Sequence, residues 1–318
     1  MLTACIGNLA ILNEDPITGK LKYEVVEGRT TATCVYAKYP LKFLHPRQAI
    51  HQSFDTYITY LLSYGGGLVG GDSVSVECDL GSDTSVVLAT QASTKVFKSE
   101  NEGQFVSQTF KVRVATNATL AFLPDPVTCF KRAKYRQTQV FNLDKNANLV
   151  FVDWLTSGRK RSYLATESIR DNRTETLEHW DFSEYDTKSE VFVDGERLVT
   201  DRVRLADEED VSLRQRMHNM HVLGLMVIVG PKLKVIVGQL LELSTRKKLH
   251  NARDITPQGR LATANTFPGV IASASSLGPN SVMVRFCGQD MEVAMNYVKT
   301  TLEPLKGIVG YSPYQENR

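Results

Sequence analysis

A chain of 318 residues, 42% of them hydrophobic and 23% charged, has the composition of a soluble globular protein with room for a large core. Its formal net charge of +2 leaves no basic surplus for a nucleic-acid surface as the main partner. No stretch approaches the ~18 uninterrupted apolar residues of a membrane span, and the N-terminus lacks the basic start and apolar core of a secretion signal. Five cysteines (Cys5, Cys34, Cys78, Cys129, Cys287) are odd in number and widely spaced, with no C-x-x-C pair. That excludes a zinc ribbon or a redox dithiol and reads as reduced, mostly buried thiols in a cytoplasmic protein.

From Gly7 to Ala37 the residues alternate in strand fashion about a turn at Asp15–Gly19, and Thr30–Tyr36 is β-branched enough for a strand. Leu41–His45 leads through Pro46 into a polar stretch read as a loop. Tyr57–Leu62 then reads as a strand, and Ser73–Leu80 as another, with Val74, Val76, Cys78 and Leu80 in strict alternation. Between them lies Ser63-Tyr-Gly-Gly-Gly-Leu-Val-Gly-Gly-Asp72, whose glycines Gly65, Gly66, Gly67, Gly70 and Gly71 predict a tight bend with backbone in close approach. The letters G-x-G-x-x-G occur within it, but a dinucleotide site needs a helix to follow, and here a period-two strand follows. Asp72 reads either as a cap on the bend or as a group lining a polar opening.

Further strands are predicted at Ser85–Gln91, Phe105–Val114, Ala118–Leu123, Arg136–Leu143 and Asn148–Leu155, separated by turn residues at Gly81, Gly103, Asn117 and Pro124–Pro126. No fixed sequence period accompanies them. Residues 160–177 are polar and aperiodic, which reads as a surface loop. Strand character returns at Glu178–Tyr185 and continues to Val193, with a hairpin turn at Asp194-Gly195 before Arg197–Leu205. The last third carries the predicted helices: a short, acid-first one over Asp207–Met220, one from Pro231, and one from Asp290. Strands are expected at His221–Val229, Val270–Leu277 and Ser281–Cys287. The whole reads as mainly β, in one domain over 1–318, with a few α-helices mostly near the C-terminus.

Catalytic machinery is hard to find. No Walker A sequence and no G-x-S-x-G elbow occur. His218 and His221 are the only close histidine pair; on a helix they would share a face, flanked by Met217 and Met220 as soft donors, but no third ligand stands near in sequence.

Several boxes occur together and in order: Leu41–Pro46; Tyr64–Asp72; Thr90-Gln-Ala-Ser-Thr-Lys-Val-Phe97, with Thr94 and Lys95; Leu123-Pro-Asp-Pro126; Phe130, Ala133 and Arg136-Gln137; Asp153-Trp-Leu-Thr-Ser-Gly-Arg159, with Trp154, Gly158 and Arg159; Trp180-x-Phe182-x-x-Tyr185; and Leu223-Gly224 through Gly230-Pro231. In this combination the chain resembles the UreD (UreH) family of urease accessory proteins over most of its length. One departure is plain: relatives run from Gly-Arg almost directly into a Gly-Glu-x-Trp box, whereas here 160–177 intervenes, Leu177 replaces the glycine, and Glu178 holds the place of the acid.

The resemblance implies a stacked, helix-like (β-superhelical) arrangement of strands and a non-catalytic scaffold with no permanently bound cofactor. It implies binding to apo-urease and a UreF-like protein, through which a UreG-like GTPase is recruited, and an internal polar tunnel that carries nickel in transit. On that reading Asp72 and Glu178, with the Thr94 hydroxyl, are candidate weak nickel ligands, because a conduit must release what it binds. Arg159 is expected to pair with a buried acid. The helix from Pro231 and the tail from Gly307 are candidate partner surfaces. Two other classes stand beside it: a β-helical enzyme acting on carbohydrate, which needs two facing carboxylates, and a nickel storage protein, which would want His and Cys clusters.

Overall fold

The computed structural model describes residues 16–46, 54–99, 101, 103–159, 178–208, 210–253 and 267–314, with side chains of 244–253 excepted. The expected insert at 160–177 and any strand before residue 16 lie outside them, as do the last four residues of the C-terminal tail. The strands begin with β1 (Gly19–Val26), β2 (Arg29–Ala37), β3 (Leu41–Leu44), β4 (Tyr57–Ser63), β5 (Ser73–Leu80) and β6 (Ser85–Thr90). They continue with β7 (Thr94–Val96), β8 (Val106–Val114), β9 (Thr119–Leu123), β10 (Val127–Cys129), β11 (Lys134–Leu143) and β12 (Asn148–Thr156). The last are β13 (Glu184–Val193), β14 (Glu196–Ala206), β15 (Val222–Val229), β16 (Val270–Gly278) and β17 (Ser281–Gly288). Helices are α1 (Leu213–Arg216), α2 (Lys234–Arg253), α3 (Met291–Leu302) and α4 (Lys306–Val309).

These strands form two sheets. The first has the order β14-β13-β11-β8-β5-β1-β2, and the second has β16-β17-β15-β12-β9-β6-β4-β3 with β10 and β7 attached beside β12. From β4 to β13 the longer strands alternate between the sheets, so that β5, β8, β11 and β13 pair in parallel in one while β4, β6, β9 and β12 pair in parallel in the other. Three crossings use one device. Asp83, Asn117 and Asn146 each sit at φ near +60° in a four-residue turn, closed by Thr84, Ala118 and Ala147 donating to the carbonyl three residues back. Asp and Asn tolerate this left-handed conformation better than other side chains, so the turn recurs without a sequence period.

The sheets end in antiparallel hairpins, β1–β2 and β13–β14 in the first and β3–β4 and β16–β17 in the second. The mainly β class is therefore present, but as two open sheets rather than a closed helical stack.

Between the sheets lies one core, in which Phe110, Phe122, Phe141 and Phe151 interlock with centroids 4.7–6.1 Å apart. A second core covers the far face of the second sheet, where Leu233, Ile236, Val237 and Leu240 meet Val150, Val152, Met226 and Ile228, joined by Ala294, Val298 and Leu302 of α3. At its centre that sheet is dry on both faces, which is why β15 and, apart from Asp153, β12 read as apolar runs rather than as alternation. The first sheet has one wet face carrying charges in rows, such as Lys20–Glu77 and Arg113 between Asp79 and Asp144.

Two expected elements differ. Over Glu178–Ser183 the chain bends instead of extending, and β13 begins at Glu184. Trp180 sits at φ +60° and sends its indole N–H to the Met220 carbonyl at 3.0 Å, so its burial comes from a turn and not from a pleat. The helix expected over Asp207–Met220 is one turn, α1, starting after a Ser212 capping box with Gln215. Asp207 caps that turn from outside, its carboxylate accepting the Leu213 amide at 2.7 Å. The helix from Asp290 forms as expected, with the Asp290 carboxylate accepting the Val293 amide at 2.8 Å. Two short strands, β7 and β10, escaped the pattern because three residues give too little alternation to read.

Candidate functional site

The glycine bend packs against the segment around Lys95. The Leu68 amide donates to the Lys95 carbonyl at 2.8 Å, and the Phe97 amide to the Leu68 carbonyl at 2.9 Å. A Cβ on Gly67 would stand 2.8 Å from the Lys95 carbonyl oxygen, so only glycine allows this approach. Asp72 closes the bend: its carboxylate accepts the Val69 amide at 2.9 Å, and its own amide donates to the Val69 carbonyl. A strand, β5, follows the glycines.

At the other side, Gly158 has φ +142° and an added Cβ would fall 1.9 Å from the Glu178 carbonyl oxygen. The glycine thus lets the chain on either side of the 160–177 insert close up. Arg159 spans the same junction, with Nη2 3.3 Å from Glu178 Oε1 and its guanidinium over the Phe130 ring at 5.2 Å. The second carboxylate oxygen of Glu178 accepts the Lys131 amide at 3.3 Å. Trp154, fully buried, donates its indole N–H to the Pro124 carbonyl at 2.9 Å and so anchors the Pro-Asp-Pro turn.

These boxes converge. Gly65, Gly66, Lys95, Asp125, Gly158 and Arg159 all line one open groove of about 870 Å³. Asp125 also lines an internal cavity of about 60 Å³, enough for a few waters, together with Thr90, Thr94, Gln137, Gln139 and Asp153. Thr90 and Asp125 exchange hydrogen bonds, Oγ1 to Oδ2 at 3.1 Å and the Asp125 amide to Oγ1 at 2.7 Å. Asp153 in turn lines a second cavity of about 190 Å³, shared with Tyr185, Thr187, Asp201 and Arg285. The groove and the first cavity thus share Asp125 in their walls, and the two cavities share Asp153.

The interior is a polar network inside an apolar sandwich. Tyr135 donates to Gln108 Oε1 at 2.5 Å and lies against Gln137, whose Nε2 donates to Asp153 Oδ1 at 3.3 Å. Gln139 Nε2 reaches Ser189, while its buried Oε1 has no hydrogen-bond partner among the described residues. Asp153 exposes part of its surface to the cavities but lies deep beneath the molecular surface. Burial pushes its carboxyl up to about 7, against the opposing pull of Gln137, and the Asp201 charge adds to the rise. At the far end Asp201 of β14 accepts from Arg285 of β17, Nε lying 3.1 Å from Oδ1, an ion pair that joins the two sheets.

Of the residues singled out from sequence, Thr94 lines the interior and Lys95, Gly65, Gly66, Gly158 and Arg159 line the groove. Asp72 lines none of these three spaces, and Glu178 reaches the groove only through Arg159. His218 and His221 share no helix: His218 is exposed at φ +49° just beyond α1. His221 instead meets His179. Asp125, Asp153 and Asp201 stood in the sequence without being singled out as site residues. The signal for Asp153 was an acid inside the apolar run Leu149–Leu155, which only a buried polar network can accommodate. Among the described residues no cluster of three or more His, Cys, Asp or Glu could hold a metal, and no helix is long and apolar enough to cross a membrane. The described cysteines Cys34, Cys78, Cys129 and Cys287 are free thiols.

Comparison with known proteins agrees with the pattern of boxes. The family model described as UreD urease accessory protein matches residues 18–318. Urease accessory protein D of Arabidopsis thaliana is 35% identical over 313 residues, covering 93% of this chain and 99% of that protein. Urease accessory protein D of Oryza sativa subsp. indica is 33% identical, covering 93% and 95% of the two chains. Urease accessory protein UreD of Anaeromyxobacter sp. (strain Fw109-5) is 29% identical, covering 93% and 88%.

Proposed function

The chain belongs to the UreD urease accessory protein family, and on that premise we propose that it is a non-catalytic scaffold of urease maturation in the cytoplasm. It binds apo-urease and a UreF-like protein, and through the latter a UreG-like GTPase. Nickel reaches urease by way of its polar interior.

The observation that carries this reading is the sharing of Asp125 and Asp153 between successive spaces, from the open groove through the first cavity into the second. Nickel is a borderline ion that accepts carboxylate, amide carbonyl and water oxygens. Single carboxylates spaced along a path bind weakly enough to hand the ion on, whereas a closed set of His and Cys would keep it. Asp153, raised to about 7, exchanges a proton readily near neutral pH and so holds a cation without fixing it. Asp72 and Glu178 act at the groove by holding its walls, the first by closing the glycine bend and the second through Arg159.

The test is urease in cells lacking this chain, with urease protein level and urease-bound nickel measured together. Abundant, nickel-free, inactive urease is the expected result. Nickel-loaded urease in those cells would contradict the role outright.

A further inference from the structure

The groove holds a cluster that the path through Asp125 and Asp153 does not use. Ser157, at the end of β12, is buried and lines the groove beside His221. Its Oγ lies 3.0 Å from His179 Nδ1 and 3.1 Å from His221 Nδ1, and the two imidazole rings are 4.3 Å apart between centroids with a tilt of 39°. Two Nδ1 atoms from positions 42 residues apart in sequence therefore aim at one hydroxyl.

Backbone bonds fix this meeting. The Ser157 amide donates to the His221 carbonyl at 2.8 Å, the Trp180 amide to the Ser157 carbonyl at 2.6 Å, and the His221 amide to the Gly288 carbonyl at 2.8 Å. Gly158 adds to them, because its missing side chain is what lets residue 178, and hence His179, come this close.

We propose that His179, His221 and Ser157 form a docking site for a first-row divalent cation at the mouth of the polar interior. Such ions take imidazole nitrogen at about 2.1 Å, and neighbouring donors of an octahedral ion at that radius stand about 3.0 Å apart, the separation found here between Ser157 Oγ and each Nδ1. Two nitrogens and one weak oxygen, completed by water, suit nickel or zinc and disfavour magnesium or calcium, which prefer oxygen throughout. Three protein donors with water in the remaining positions make an exchangeable site rather than a store. The same groove contains Asp125, the first carboxylate of the interior line. The assignment of nickel as the physiological ion rests on the delivery reading above; the existence of the site does not.

The experiment is an equilibrium nickel titration of the purified full chain, wild type against His179→Gln and His221→Gln, with thermal unfolding of each. One site weakened at least about 10-fold in each variant is expected, since outer-shell partners alone are commonly worth about 10- to 100-fold and these residues are the ligands themselves. A complementary reading uses the unaltered chain: substoichiometric nickel should broaden the imidazole NMR signals of His179 and His221 before those of His45 and His218. Unchanged titrations in both folded variants, or broadening that spares this pair, would overturn the site. Delivery is judged separately by nickel in urease, so an ion bound here with urease still loading normally in His221→Gln would retain the site and remove its place in the route.

Discussion

Asp153 and Asp186 are both strand carboxylates, one on β12 and one on β13, yet their surroundings drive them in opposite directions. Asp186 lies on the wet side of the first sheet, where Arg202 grips it with Nε and Nη2 each at 3.0 Å and Arg136 approaches to 3.8 Å. The Arg202 hydrogen bonds hold its carboxyl below the usual carboxylate range. Among the described residues Asp153 meets the Gln137 amide and the hydroxyl of Ser189 rather than a guanidinium, and burial raises it to about 7. A carboxylate that fastens one strand to the next is best kept charged and clamped. One that must take up and release a cation is best left without a permanent counter-charge. On the delivery route proposed above, the contrast separates an acid that fastens strands from one that passes an ion on.

The largest effect that would sharpen the contrast is on stability against pH. Asp153 has a folded pKa above its unfolded value, so its contribution is fully present below about pH 4 and is lost as pH rises through 7. Asp153→Asn removes that loss, and at pH 8 the variant should be more stable than wild type by roughly 2–4 kcal/mol, read by denaturant unfolding. Equal stability of the two at pH 8 would mean that the carboxyl is hydrated and near its ordinary value.

Asp186→Asn should act in the other direction and less strongly. Its depressed pKa gives stability that is present above about pH 4 and is lost as pH falls through the folded value. The Arg202 side chain is 60% exposed, so the loss at pH 7 should be only about 1 kcal/mol and shrink further in salt. Smallest is Glu190→Gln, which breaks a surface pair with Lys188 at 2.8 Å and should change stability by no more than about 0.5 kcal/mol. A loss as large as that of Asp186→Asn would place Glu190 in the same clamp.

The two acids also mark what could be read in advance. Strand positions on the wet sheet follow alternation, and Ser73–Leu80 was legible residue by residue because one of its faces is dry and the other is not. The glycine box was legible as a bend for the same local reason. Glu178–Tyr185 misled because Trp180, Phe182 and Tyr185 are buried at intervals that imitate a strand, although two of them sit in a turn. Asp207 and Asp210 imitated a helix start, while the true start was the Ser212 box. An acid in an apolar run announced Asp153, but its environment depends on a cavity formed between two sheets. The meeting of His179 with His221 depends on where three distant segments cross, which no local spacing encodes.

The most direct measurement is nickel per urease in cells carrying Asp153→Asn or Asp186→Asn in place of the wild-type chain, at matched levels of urease and of this protein. Urease poor in nickel with Asp153→Asn and normal with Asp186→Asn is the predicted result. Full loading with Asp153→Asn, or equal deficits in both variants, would contradict a route through the polar interior.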